Sequence, residues 1–221
     1  MVSAVQQLWH EQLLHEAIIT SYPPIFTIIY RIDDATDSKS KSIYLKVLND
    51  MLNGNPKLVH TRDSFEKTPL HNAVLLDGDV DIITVLLDHG ADPEARDMWK
   101  KTPLHYAVEN AKTQAVGILI ERGADVNALE EYNLTPLHYI SSLLEISEPY
   151  NKDRLKIAEA LLSAGADKKI KDKDGETAIS HLMRCSDIAR YRDRTEKAVE
   201  YEELAKFIEK YTPSDLRKTK K

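Results

Sequence analysis

The chain has 221 residues, of which 42% are hydrophobic and 30% are charged, and its formal net charge is −6. Glycine and proline together make up about 7% of the residues, against about 12% in average proteins, which favours helices over a many-stranded sandwich or a disordered linker. The acidic balance disfavours a phosphate-binding surface, and a single cysteine, Cys185, excludes an intramolecular disulfide. We therefore expect no nucleic acid partner and a reducing compartment.

The N-terminal stretch contains no predicted membrane segment. Its most apolar run, residues 22–30, includes two prolines and is far shorter than the roughly 18 residues needed to span a bilayer. No basic region precedes it, so no signal peptide is predicted either. We expect a cytoplasmic protein that does not bind membranes, with delivery into a host cell as an alternative.

Two short patterns recur along the rest of the chain. Thr-Pro-Leu-His begins at residues 68, 102 and 135, and a looser version, Thr-Ala-Ile-Ser, begins at residue 177. Gly-Ala-Asp begins at residues 90, 123 and 165, always 12 residues before the next of these threonines. Thr is a good N-cap and Pro suits the first helical position, whereas Gly ends helices. The two patterns therefore predict units of two helices each.

This pattern resembles the ankyrin repeat, which reads T-P-L-H-x-A at a period of about 33 residues. The resemblance implies an all-α solenoid, an ankyrin repeat array of helix-turn-helix units with β-hairpin tips. It also implies a non-catalytic module that binds a partner protein through the hairpin tips and the concave face formed by the first helices.

We predict about five units, including atypical caps at both ends. Residues 1–66 form an N-terminal capping repeat, with a first helix at 13–17 and an insertion of about 20 residues before the second helix. Residues 67–176 hold three clear repeats, 177–212 a C-terminal capping repeat and 213–221 a basic tail. A further insertion at 144–153 is interpreted either as a functional loop or as a tolerated surface loop.

Titratable residues do not predict a catalytic or metal site. The repeated position of His71, His105 and His138 puts them on separate helices about 8–10 Å apart, too far to share an ion with bonds of about 2 Å. His181 and Cys185 lie one helical turn apart, but no group that would orient them is apparent. We expect no cofactor, no metal and no enzyme activity.

The predicted partner surface consists of two rows of residues. Position ten of each tip, counted from the preceding glycine and allowing for two extra residues in the first tip, is aromatic in three consecutive tips. The residue after each family histidine forms the second row. The candidates, with their neighbours, are Phe65, Asn72, Met98, Trp99, Lys100, Tyr106, Tyr132 and Tyr139. Our hypothesis is one contiguous patch of Trp99, Tyr132, Tyr106 and Tyr139. The alternative is that the tip aromatics pack over adjacent hairpins and only add rigidity.

Several interpretations remain open beside this one. The context of Asn127 resembles that modified by asparagine hydroxylases, although a structural role in the hairpin is favoured. The chain, expected to be a monomer, is alternatively an inhibitor or pathogen effector that blocks or recruits a host protein. A third interpretation is an enzyme within residues 1–66, where His10, His15 and His60 show no recognisable spacing.

Overall fold

The computed structural model describes residues 24–34, 37–76, 79–141 and 151–212. The predicted helix at 13–17, most of the insertion at 144–153 and the basic tail at 213–221 lie outside these residues. The chain divides into two compact units, residues 1–98 and 99–221. The described residues of both units are helical, with turns between the helices and no strand.

The described residues of unit 1 form four α-helices and one short 3-10 helix. Its helices are α1 (Pro24–Asp33), α2 (Ser38–Gly54), the 3-10 helix Pro56–His60, α3 (Pro69–Leu75) and α4 (Val80–Asp88). The repeat spacing predicts an insertion over the region of α1. The structure has instead a helix that packs against α2 and α3. Its apolar side chains are spaced to form one buried stripe, which explains why it folds as part of the core. These buried residues are Ile25, Phe26, Ile28, Ile29 and Ile32.

Where the structure describes unit 2, the chain forms five α-helices and one 3-10 helix. They are α5 (Pro103–Glu109), α6 (Thr113–Glu121), the 3-10 helix His138–Ser141, α7 (Asn151–Ser163), α8 (Ala178–Tyr191) and α9 (Thr195–Lys210). In the part of it that the structure describes, the first helix of the repeat at residue 135 is a 3-10 helix and not an α-helix. Its backbone bonds run three residues back, as from Tyr139 N–H to Pro136 O at 3.1 Å, which is the 3-10 pattern.

Glycine ends the second helix of three repeats in the predicted way. Gly90, Gly123 and Gly165 have φ angles of 84°, 89° and 97°, which cost glycine little because it has no Cβ. The next residue then donates to the carbonyl five residues before it, as from Ala124 N–H to Leu119 O at 2.9 Å, forming a Schellman motif. Gly54 ends its helix differently. It is the last residue of α2, and the N–H of Asn55 closes that helix on Met51 O.

Helix α9 closes the C-terminal repeat with one buried face. Tyr201, Leu204, Ala205 and Ile208 are buried, as its sequence pattern predicted, and Glu203 faces solvent. Its last carbonyls have an unusual partner from the preceding repeat. Lys168 Nζ donates to the carbonyl oxygens of residues 208, 209 and 211 at 3.0, 2.6 and 3.0 Å. A lysine charge at a helix C-terminus is also favoured by the helix dipole.

We expect Lys168→Met to lower the free energy of unfolding by about 1–3 kcal/mol, because it keeps the apolar stem but removes these bonds. Lys169→Met, at the exposed neighbouring position, is the matched control and should change stability by less than about 0.5 kcal/mol. Urea denaturation gives both values. Hydrogen exchange should accelerate at the C-terminal end of α9 in the first variant alone. Equal stabilities of the two variants would show that the three hydrogen bonds of Lys168 do not contribute to the free energy of unfolding.

Candidate partner-binding surface at the tips

Three of the four tip turns are organised by an acidic side chain five residues before the helix-capping threonine. In the last tip, Asp172 Oδ1 accepts the N–H groups of Asp174 and Glu176 at 2.9 and 2.8 Å. The same paired acceptance is made by Asp63 and Glu130 in two other tips. Charged acceptors form strong hydrogen bonds to backbone N–H groups, so these carboxylates fix the turns.

The backbone of all four tips passes through the left-handed region at one equivalent position. The residues are Glu66, Lys100, Asn133 and Gly175, with φ angles of 60°, 61°, 61° and 80°. Only the last is glycine, so three tips hold an ordinary side chain in a conformation that such residues rarely adopt. The tips therefore share one conformation. Strand pairing of the predicted β-hairpins is not seen among the described residues.

Hydrogen bonds join successive tips within each unit. In unit 1, Met98 N–H donates to Phe65 O at 3.1 Å. In unit 2, Glu131 N–H donates to Trp99 O and Lys173 N–H to Tyr132 O, both at 3.0 Å. In each case the backbone N–H at position nine of one tip donates to the backbone carbonyl at position ten of the tip before it. These hydrogen bonds fix the backbone of the tips, and therefore the positions from which the tip side chains project.

Large apolar side chains project from these ordered tips. Phe65 is 47% exposed and Met98 50% exposed in unit 1, and Tyr132 is 57% exposed in unit 2. Trp99 is half-buried and Lys100 is exposed. Lysine ammonium groups lie 5.4 Å from two of the ring centres, Lys67 over Phe65 and Lys173 over Tyr132. The tip row thus combines apolar rings with adjacent positive charge.

The second predicted row is not exposed. Asn72, Tyr106 and Tyr139 are buried, with exposures of 5%, 6% and 7%. The structure does place Tyr106 and Tyr139 close together, since Lys101 Nζ lies 5.0 Å from the first ring centre and 4.3 Å from the second. The hypothesis of one contiguous exposed patch is therefore wrong for these two tyrosines.

Lys101 contributes to this burial. Its ammonium group also pairs with both carboxylate oxygens of Glu109, at 3.1 and 2.9 Å. A cation above two aromatic faces with a carboxylate beside it is a mutually satisfied cluster. The charged cluster covers the two rings, and only Trp99 and Tyr132 of the proposed patch reach the surface.

The repeated histidines are structural links between helix starts and tips. His105 Nδ1 accepts from the N–H of Thr102 at 3.1 Å and lies 2.9 Å from the threonine hydroxyl. Its Nε2 lies 3.2 Å from the carbonyl of Leu134 in the next tip. His138 repeats this arrangement, with Nε2 at 3.3 Å from Glu176 O. Because Nδ1 accepts, the proton is assigned to Nε2. Burial lowers the pKa of His138, which favours this neutral form.

His181, whose spacing would allow a pairing with Cys185, pairs with two carboxylates of the last tip. His181 Nε2 lies 2.7 Å from Asp172 Oδ2 and 3.3 Å from Glu176 Oε2. Burial raises the pKa of the Cys185 thiol, which opposes formation of a thiolate nucleophile. For Asp172, burial opposes ionisation. The hydrogen bonds from Glu176 N–H and His181 nevertheless outweigh it, and the pKa of this carboxyl is lowered.

Asn127 bridges two repeats through both atoms of its amide. Its Nδ2 donates to Gly165 O at 3.1 Å, and its Oδ1 accepts from Asp167 N–H at 2.7 Å. These contacts support the structural role favoured from the sequence. Hydroxylation of Asn127 stays a prediction.

The tip carboxylates were absent from the sequence interpretation. An acid at residues 63, 97, 130 and 172, each five residues before a capping threonine, is a visible signal for them. Lys101 carries no such signal, because the same position holds Lys67, Leu134 and Glu176 in the other repeats. Its importance depends on two tyrosines and a glutamate that only the fold brings together.

Comparison with protein families finds a model described as ankyrin repeats, which matches residues 34–130 and 70–172 with three copies. The matched region covers more than half of the chain. The chain belongs to the ankyrin repeat family. Ankyrin repeats are generally protein–protein interaction modules, and the family is typically non-enzymatic.

A comparison of this ankyrin protein with curated proteins finds no match. Within the described ranges, no helix has the length and apolarity needed to cross a membrane.

Proposed function

We propose that this chain is a non-catalytic module that binds a partner protein through its tips. The observation that carries the proposal is the exposure of Tyr132 on a tip that hydrogen bonds hold in place. Large apolar rings exposed to water on an ordered surface are typical of interaction sites. Aromatic side chains also lose little conformational entropy when they become buried.

The contact surface proposed in unit 2 centres on Trp99 and Tyr132. The bond from Glu131 N–H to Trp99 O holds these two tips side by side. Lys100 and Lys173 supply positive charge at the rim of this surface, and Glu131 supplies negative charge. In unit 1, Phe65 and Met98 form a second exposed apolar pair. We also propose that the protein acts as a monomer and, given its net charge of −6, without nucleic acid.

The test is the double substitution Trp99→Ala and Tyr132→Ala. Interface hot spots contribute 2 kcal/mol or more each, so we expect the dissociation constant for a captured partner to rise by about 100-fold or more. Partners are captured from a cell extract on the immobilised chain. The direct affinity of each partner is then measured by calorimetry.

The matched control is Tyr191→Ala, which removes an exposed tyrosine of the same unit from the end of α8. It should leave binding unchanged. The melting temperature of both proteins confirms that they remain folded. Unchanged affinity in the double variant, or an equal loss in the Tyr191 variant, would refute the proposed surface.

A further inference from the structure

Three groups that can bind metals meet at the last tip. They are Asp172 Oδ2, Glu176 Oε2 and His181 Nε2, and all three atoms lie within 4.8 Å of one another. The histidine nitrogen lies 2.7 Å from the aspartate oxygen and 3.3 Å from the glutamate oxygen. Asp172 is buried at its side chain, and the other two groups are partly accessible to solvent.

This combination is particular to the last repeat. The position of Glu176 is occupied by Lys67, Lys101 and Leu134 in the other three tips. The position of His181 is occupied by Asn72, Tyr106 and Tyr139. Only the tip carboxylate is common to all four repeats. Glu176 and His181 therefore depart from the repeat pattern. They add a second carboxylate and an imidazole beside the carboxylate of Asp172.

The surrounding bonds hold the three groups in position. Asp172 uses Oδ1 for the turn and leaves Oδ2 directed at the histidine. Asp172 N–H donates to Glu176 O at 2.9 Å, and His138 Nε2 bonds to the same oxygen at 3.3 Å. The rings of His138 and His181 pack edge to face, with their centres 5.4 Å apart. Such outer contacts orient metal ligands and strengthen binding.

We propose that Asp172, Glu176 and His181 bind one Zn²⁺ ion, with water completing a tetrahedral site. Zinc accepts imidazole nitrogen and carboxylate oxygen together at about 2.0–2.2 Å, so neighbouring ligand atoms lie about 3.4 Å apart. The separation of Nε2 from Glu176 Oε2 already fits. The separation from Asp172 Oδ2 is 2.7 Å and has to widen by about 0.7 Å.

Zinc binding removes the proton from His181 Nε2 and breaks the ion pair between Arg184 and Glu176. In a neutral ring, the ring's one proton moves to Nδ1. An imidazolium ring already has a proton on Nδ1, so it releases its Nε2 proton to water. Arg184 lies 3.1 Å from the same Glu176 oxygen, and its side chain is half exposed. Because exposed ion pairs are weak, its displacement costs little.

The experiment measures Zn²⁺ binding to the full chain by calorimetry after treatment with a chelator. We expect one Zn²⁺ per chain with a dissociation constant in the micromolar range or below, and a melting temperature that rises with zinc. His181→Ala and Glu176→Gln should each weaken binding by about tenfold or more. Asp172 is left intact because it also holds the tip turn. Circular dichroism confirms that both variants are folded.

Two further variants sharpen the test. Arg184→Gln removes a competing positive charge and should tighten zinc binding severalfold, which a site elsewhere on the chain would not show. His60→Ala, at an exposed histidine of unit 1, should have no effect. The proposal is overturned if zinc causes no heat change, or if the His181 and Glu176 variants bind zinc as the unsubstituted chain does. Equal competition by excess Mg²⁺ would also contradict it, since imidazole favours zinc.

Discussion

Replacing His105 with alanine should lower the free energy of unfolding by about 2–4 kcal/mol. The ring is fully buried and has partners on both nitrogens, with Thr102 on Nδ1 and Leu134 O on Nε2. Alanine leaves these backbone groups without their buried partner and opens a cavity. Urea denaturation followed by circular dichroism measures the change.

The control for this substitution is Ser180→Ala. Ser180 occupies the same repeat position in the last unit, but its side chain is exposed and bonds only locally, to the hydroxyl of Thr177. We expect a change below about 0.5 kcal/mol. If both substitutions cost the same, the histidine contributes as an ordinary helix residue and the link to the next tip is not stabilising.

Two tyrosines of unit 2 should respond to alanine in opposite ways. Tyr139→Ala should lower the free energy of unfolding by about 3 kcal/mol, because a buried aromatic ring is lost. That ring packs edge to face on His105, with centres 5.6 Å apart, and lies under the Lys101 ammonium group. Tyr132→Ala should lower it by less than about 1 kcal/mol, since most of its side chain faces water.

The effects of these two substitutions on partner affinity should be in the opposite order to their effects on stability. At a temperature where both variants remain folded, Tyr132→Ala should lose most of its affinity for a captured partner, whereas Tyr139→Ala should keep it. Affinity is measured by calorimetry and stability by urea denaturation. A strong loss of affinity in the folded Tyr139 variant would show that the second row becomes accessible when a partner binds.

The repeat pattern predicted most of the helices because each short pattern has a local physical meaning. Thr and Pro start a helix, and Gly allows the left-handed residue that ends one. These effects require no knowledge of tertiary contacts. The helix at Pro24–Asp33 was missed because no repeat motif marks it, although its apolar spacing was visible in the sequence.

The surface was harder to predict than the fold. Whether Tyr106 and Tyr139 reach solvent depends on tertiary contacts, among them those of Lys101. The spacing of Lys101 in the sequence does not show that it reaches both rings and Glu109. The exposure of Phe65, Met98 and Tyr132 agrees with the prediction because a tip turn has few neighbours that could cover it.

The histidine links of unit 2 have a direction. Each runs from one repeat to the tip of the next, from His105 to Leu134 and from His138 to Glu176. Loss of either partner of a link exposes the other partner to water, so each link contributes to stability only while both repeats are folded. The links therefore couple neighbouring repeats, and the repeats of unit 2 should unfold together and not one at a time.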